Sequence, residues 1–150
     1  MANFVYTEAL RMLAAGELNL AEAGADLRVA LVMTNTTADT ERDATSFAGF
    51  TTLDEYDGSG YARQALASQA IVKVGTPSFW AKMTATASTF PTLGAGTRSA
   101  QAAIVYKHGG TAGTDIPIAF FDQGGFPFVG SGANIVINWS ADGVVQVRAA

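Results

Sequence analysis

The pattern of apolar and polar positions changes period once, near residue 20. Before that point Tyr6, Ala9, Leu10, Leu13 and Ala14 recur at the spacing of one helical face. Asn3 or Thr7 is positioned to cap such a helix, Glu8 suits its first turn, and Gly16 suits its end. After it the period is two. Leu27, Val29, Leu31 and Met33 form one apolar row, and Val32 on the other row predicts a strand covered on both sides. Residues 61–74 alternate weakly, as one bent strand or two short ones. Phe79, Ala81, Met83, Ala85 and Ala87 alternate with polar residues and with Trp80. Ala102, Ile104 and Tyr106 predict a strand whose hairpin partner carries Ile116, Ile118 and Phe120, across a Gly-rich loop from Lys107 to Asp115. Pro117 donates no ladder hydrogen bond, which predicts an edge position for that partner. Gly124-Gly125-Phe126-Pro127 reads as a turn. Ile135, Ile137 and Trp139 mark another strand, and Asp142-Gly143 predicts a hairpin turn leading to Val145 and Val147.

Short alternating strands separated by Gly, Pro and Asn turns predict a mainly β fold: an antiparallel β-sandwich or small β-barrel with a short N-terminal α-helix. The length of 150 residues suits one domain, 1–150, with no internal repeat or linker. Residues 34–60 lack a period. They contain Thr34-Asn35-Thr36-Thr37, the run from Asp39 to Asp43, and Asp54-Glu55-Tyr56-Asp57-Gly58-Ser59-Gly60, with Phe47, Phe50 and Leu53 among them. So long a connection usually serves a function or holds a short helix of its own; it is read as an arm or interaction loop.

Composition narrows the function. Charged residues make up 15%, against roughly a quarter in a typical domain, and Ala, Gly, Ser and Thr fill the difference. Such a surface suits close apposition to neighbours, although an uncharged monomer would share it. The net charge of −4, with nine scattered basic residues, argues against nucleic-acid binding. Without cysteine there is neither a disulfide framework nor a thiolate metal site. The first residues show no secretory pattern, and no apolar stretch approaches the ~20 residues that span a bilayer. A product made in the cytoplasm, without membrane association, is the expectation.

No catalytic, cofactor or metal site emerges. His108 is the only histidine and reads as a solvated turn residue; it leaves little from which to build a triad or a zinc site. Asp54, Glu55 and Asp57 beside glycines suggest a calcium loop, but the twelfth position from Asp54 is Ala65 where the EF-hand needs glutamate. An irregular calcium site and a solvated acidic loop both stay open. The segments 94–97 and 109–113 are Gly-rich but lack the Gly-Lys-Ser/Thr ending of a phosphate loop. No Gly-x-Ser-x-Gly elbow is present. Aromatics predicted to project outward are the remaining signal: Trp80 and Phe121 lie opposite the main apolar rows, and Phe47, Phe50, Tyr56 and Tyr61 lie in or beside the acidic loop. These six are interface candidates, with core packing under the N-terminal helix as the alternative.

Two segments carry a family likeness. The first is Ala9 to Leu20, containing Gly16-Glu17-Leu18-Asn19-Leu20, followed by Leu27-Arg28-Val29-Ala30-Leu31-Val32. The second runs Ala103-Ile104-Val105-Tyr106-Lys107, then Ile116 to Asp122, then Ile135-Val136-Ile137-Asn138-Trp139. In this order they resemble a widespread group of small structural proteins of tailed-phage virions. The likeness covers about two-thirds of the chain, fits residues 39–97 less well, and consists of packing patterns rather than chemistry. It implies a virion structural role and supplies no functional residues. Within that role a capsid decoration (cement) protein is expected, a homo-oligomer such as a trimer, bound to the major capsid protein on the capsid surface and assembled in the host cytoplasm. Its weak single contacts would add through multivalency. A tail or connector component, and a β-sandwich carbohydrate-binding module with Trp80, Tyr61 and Tyr56 as a stacking platform, are the alternatives.

Overall fold

Apolar runs in the middle of the chain decide the architecture. In the computed structural model, which describes residues 3–21, 26–76 and 80–148, the two most continuous runs are neighbouring central strands. The elements are β1 (Phe4–Val5), α1 (Thr7–Ala15), β2 (Leu27–Met33), a 3-10 turn (Phe47–Gly49), β3 (Gln64–Ala65), β4 (Ala70–Val74), β5 (Trp80–Thr84), β6 (Ser88–Leu93), β7 (Ala100–Lys107), β8 (Ile116–Phe121), β9 (Ala133–Ile137) and β10 (Val145–Arg148). They form three antiparallel sheets of order β1-β8-β7-β2-β3, β10-β5-β4 and β6-β9, none of them closed into a barrel. The fold is mainly β and sandwich-like, with α1 the α-helix of the described residues.

β2 and β7 pair from Leu27 opposite Lys107 to Met33 opposite Ala100, with a bulge at Val32/Met33. Both strands are apolar on both faces, so both faces need cover. Leu27, Val29, Leu31, Ala103 and Val105 face a core shared with α1, β6 and the Met83 and Val145 ends of β5 and β10. Ala30, Val32, Ala102, Ile104 and Tyr106 face a second core built from Tyr6, Ala38, Ala44, Phe47 and Phe50. Residues 34–53 are therefore the second cover of the sheet, not a projecting arm. Tyr6 pins that cover: its hydroxyl donates to the Ala38 carbonyl at 2.8 Å, and burial pushes its pKa well above the ordinary phenol value.

α1 starts at Tyr6 without a side-chain cap, so neither Asn3 nor Thr7 serves there; it ends at Gly16 in the left-handed conformation (φ 72°), whose N–H and that of Glu17 bond back to Leu13 and Met12. Its buried residues are Ala9 and Met12, while Leu10, assigned from spacing to the apolar face, is exposed. Three further expectations are corrected. β8 is not an edge strand: β1 pairs with its second half, ending short of Pro117, which sits beside a bulge in the β7–β8 ladder. The alternating run from 79 to 90 divides into β5 and β6, in different sheets, and Phe79 lies outside the described residues. Asp142-Gly143 is a turn, but it joins β9, which pairs with β6, to β10, which pairs with β5.

Candidate functional site

Glu55 and Arg63 of the 54–63 stretch gather at the end of β7. Glu55 is bridged to Val32, and Arg63, which precedes β3, links it to Asp115 in the loop between β7 and β8. Arg63 donates from Nε and Nη2 to the two Glu55 oxygens at 2.7 and 2.8 Å, and from Nη1 to Asp115 at 2.7 Å and to the Tyr106 hydroxyl at 3.2 Å. Its guanidinium also lies 5.2 Å from the Phe47 ring centre and 5.1 Å from that of Tyr106. The other Asp115 oxygen meets His108 Nδ1 at 2.8 Å and accepts the Gly109 N–H at 2.9 Å. Asp115 is buried, which opposes its ionised form, but the bonds from Gly109, Arg63 and His108 outweigh burial and hold its carboxyl below the usual range.

An Asp–His pair of this geometry can orient a general base. Among the described residues no hydroxyl bonds to the other ring nitrogen of His108. Arg63 is engaged on both of its terminal nitrogens and on Nε. The network fastens 55–63 to the loop 108–115. His108 is thus a partly buried ion-network residue and not the solvated turn residue expected.

The three carboxylates of the suspected calcium loop diverge. Asp54 receives Arg98 and the Asn35 N–H, Glu55 receives Arg63 and Tyr61, and Asp57 receives the N–H and hydroxyl of Thr97. No group of three His, Cys, Asp or Glu side chains suited to a metal occurs among the described residues.

Burial sorts the six aromatic candidates. Phe47, Phe50 and Tyr56 are 2%, 7% and 2% exposed, so these three are core residues and not interface residues. The physical reason for Phe47 and Phe50 is the apolar outer face of β2 and β7, which draws the 34–53 segment onto itself, whereas Tyr56 packs into the core on the opposite face. Tyr56 has a further role: its hydroxyl donates to the Gly94 carbonyl at 2.8 Å and accepts the N–H groups of Gly96 and Gly130 at 2.9 and 3.1 Å. A Cβ on Gly130 would stand 2.2 Å from the Gly94 oxygen, so the glycines here allow backbone to approach backbone around one phenol. Tyr61 is largely enclosed, stacks on Phe90, donates to Glu55 and accepts the Leu31 N–H. With Tyr56 and Tyr61 inside, the saccharide platform proposed with Trp80 is not assembled.

Trp80 and Phe121 remain at the surface, in different places. Phe121 is half-buried, edge-on to Trp139 at 5.1 Å. Trp80 lies in the three-stranded sheet with the Arg148 guanidinium 4.4 Å and the Lys82 ammonium 5.6 Å from its ring centre. No family model, curated protein or solved structure matches this chain.

That sheet is poorly covered. Met83 and Val145 anchor one end in the core, yet Ile71 and Val147, on the same face, are 51% and 54% exposed. β4 and β10 are both outer strands, each with an unpaired backbone edge. The three strands hold Lys73, Lys82 and Arg148 and no acid, whereas the rest of the chain sets six basic residues against thirteen acidic ones. Sequence reading singled out Trp80 but not this sheet. The signal was its apolar β4, Ala70-Ile71-Val72-Lys73-Val74, which has no polar row to turn outward.

Proposed function

We propose that the chain is a structural protein of a tailed-phage virion that decorates the outside of the capsid, as a closed homo-oligomer such as a trimer. The observation that carries this reading is the uncovered three-stranded sheet, apolar and cationic on an acidic molecule, with one free edge on each side. A second copy fits it. β4 of one subunit beside β10 of the next would continue the sheet by a heterologous contact, which closes into a ring when the rotation allows. The cations of the sheet would then meet the acidic remainder of the neighbouring copy. The role asks for broad surfaces and no active site, in keeping with the self-contained Arg63 network. Individually weak contacts, repeated over the copies of a ring, hold strongly to a shell of major capsid protein.

The test is to measure the mass of the purified protein and its co-sedimentation with expanded, undecorated capsids. An oligomer that binds them is expected; a monomer without capsid affinity overturns the proposal. The same edge contact, where it fails to close, gives open-ended stacks, and that favours the second reading, a tail or connector component. Electron microscopy of the purified protein separates the two: small closed oligomers for decoration, tubes for the tail.

A further inference from the structure

Away from the open face of the three-stranded sheet, β1 and the end of β8 meet the end of β9 and the turn into β10. Between them is a cleft of about 650 Å³, within the range of small-molecule sites. Phe121 and Trp139 give it aromatic walls, their rings set edge to face at 63° and both packed against the core. Asn3, Gln123, Asn138, Ser140, Asp142 and Gln146 supply its polar lining.

The composition of the lining selects the ligand. No Lys, Arg or His lines the cleft, so an anion would find no countercharge. Asp142 is its one acidic residue, too little for a divalent cation. A wholly apolar ligand would strip water from the amides without replacing their hydrogen bonds. The side chains of Asn138 and Gln146 make no hydrogen bond within the described residues, and Asn3 uses only its oxygen, which accepts the Asp122 N–H at 3.2 Å. Each amide offers donors and an acceptor together, the pattern that matches neighbouring hydroxyls. Trp139 Nε1 is buried without an acceptor among the described residues. Aromatic surface beside amides suits a ring with one C–H face and a rim of hydroxyls. We propose that this cleft binds a neutral saccharide, as one ring of a larger glycan.

The inference is independent of where the protein acts. Gln146 belongs to β10, a strand of the proposed oligomer contact, whereas Asn138 lies outside that contact, so Asn138→Ala tests the cleft apart from assembly. The chain has two tryptophans, and Trp80 lies in β5, so its indole N–H serves as an internal control. The full chain, nitrogen-15 labelled, is titrated with glucose, galactose, mannose, N-acetylglucosamine and their 1,4-linked disaccharides. At least one sugar is expected to move the Trp139 indole resonance saturably while that of Trp80 stays fixed. Asn138→Ala and Gln146→Ala, both outside the core, should each weaken that binding by roughly three- to tenfold without changing the melting temperature. Trp139 itself is left intact because it packs on the core. The proposal fails if no sugar moves the Trp139 signal, or if binding survives both substitutions unchanged. It fails equally if a neutral Thr-Val repeat peptide moves that signal and the sugars do not; the cleft would then be a strand-docking groove beside β1.

Discussion

One phenol oxygen, that of Tyr56, joins the loops at Gly94, Gly96 and Gly130. Tyr56→Phe keeps the ring and leaves two N–H groups and one carbonyl without that partner. The expected loss is about 1–3 kcal/mol, read as a lower urea midpoint at unchanged slope. Asp115 makes a different prediction because its charge is conditional. Burial opposes ionisation, but the bonds from Gly109, Arg63 and His108 bring its folded pKa below the ordinary value. A carboxyl depressed in the folded state contributes stability at pH values above its unfolded pKa of about 4. That contribution is lost as the pH falls through the folded value. Stability should therefore decline below about pH 4. Asp115→Asn should lower stability at pH 7 by on the order of 2 kcal/mol and flatten the acid decline, leaving the share of other carboxyls such as Asp57 and Glu41, also depressed by their hydrogen bonds. Acid titrations of both proteins, followed by denaturant melts, would show an unchanged slope if Asp115 has no such part.

At the scale of elements the 34–53 segment makes the sharpest test. As a projecting arm it would tolerate Phe47→Ala and Phe50→Ala within ±0.5 kcal/mol, the usual range for surface substitutions. As the cover of β2 and β7 it should lose about 3–5 kcal/mol at each, measured by thermal or chemical unfolding. The arm reading failed because this cover runs through turns and a 3-10 segment, which carry no strand or helix period. The clue lay elsewhere. β2 and β7 are apolar on both faces, so a second layer was required, and Phe47, Phe50 and Leu53, three residues apart, were available for it. What was legible came from local chemistry: the helix with its Gly16 stop, the two-sided β2, the β7–β8 hairpin. What was not legible was pairing between distant strands. Asp142-Gly143 signals a turn correctly, but no local feature tells that β9 has already joined β6 and that β10 will join β5. The candidate site fared similarly. Of six aromatics, Phe47, Phe50 and Tyr56 were drawn into cores built with strands distant in the sequence, and the Arg63 network spans 52 residues between Arg63 and Asp115.

For the molecule as a whole the question is why the three-stranded sheet leaves Ile71, Val72 and Val147 open. An outer strand with exposed Ile71 and Val72 invites pairing with another chain. Lys73 on the same strand limits indiscriminate pairing, and it would be tolerated in a contact that brings an acidic neighbour. If a second copy covers this sheet, a new charge there should dissolve the assembly and spare the fold. Ile71→Lys and Val147→Lys place like charges beside Lys73 on one face, at positions more than half exposed. Each should move the protein from oligomer to monomer in sedimentation velocity while the subunit keeps its circular dichroism spectrum. Val129→Lys, equally exposed but in the loop between β8 and β9, supplies the matching control and should leave the mass unaltered. Loss of the oligomer in all three would mean a general charge effect. An oligomer that persists through both sheet variants would place the contact between copies on another face.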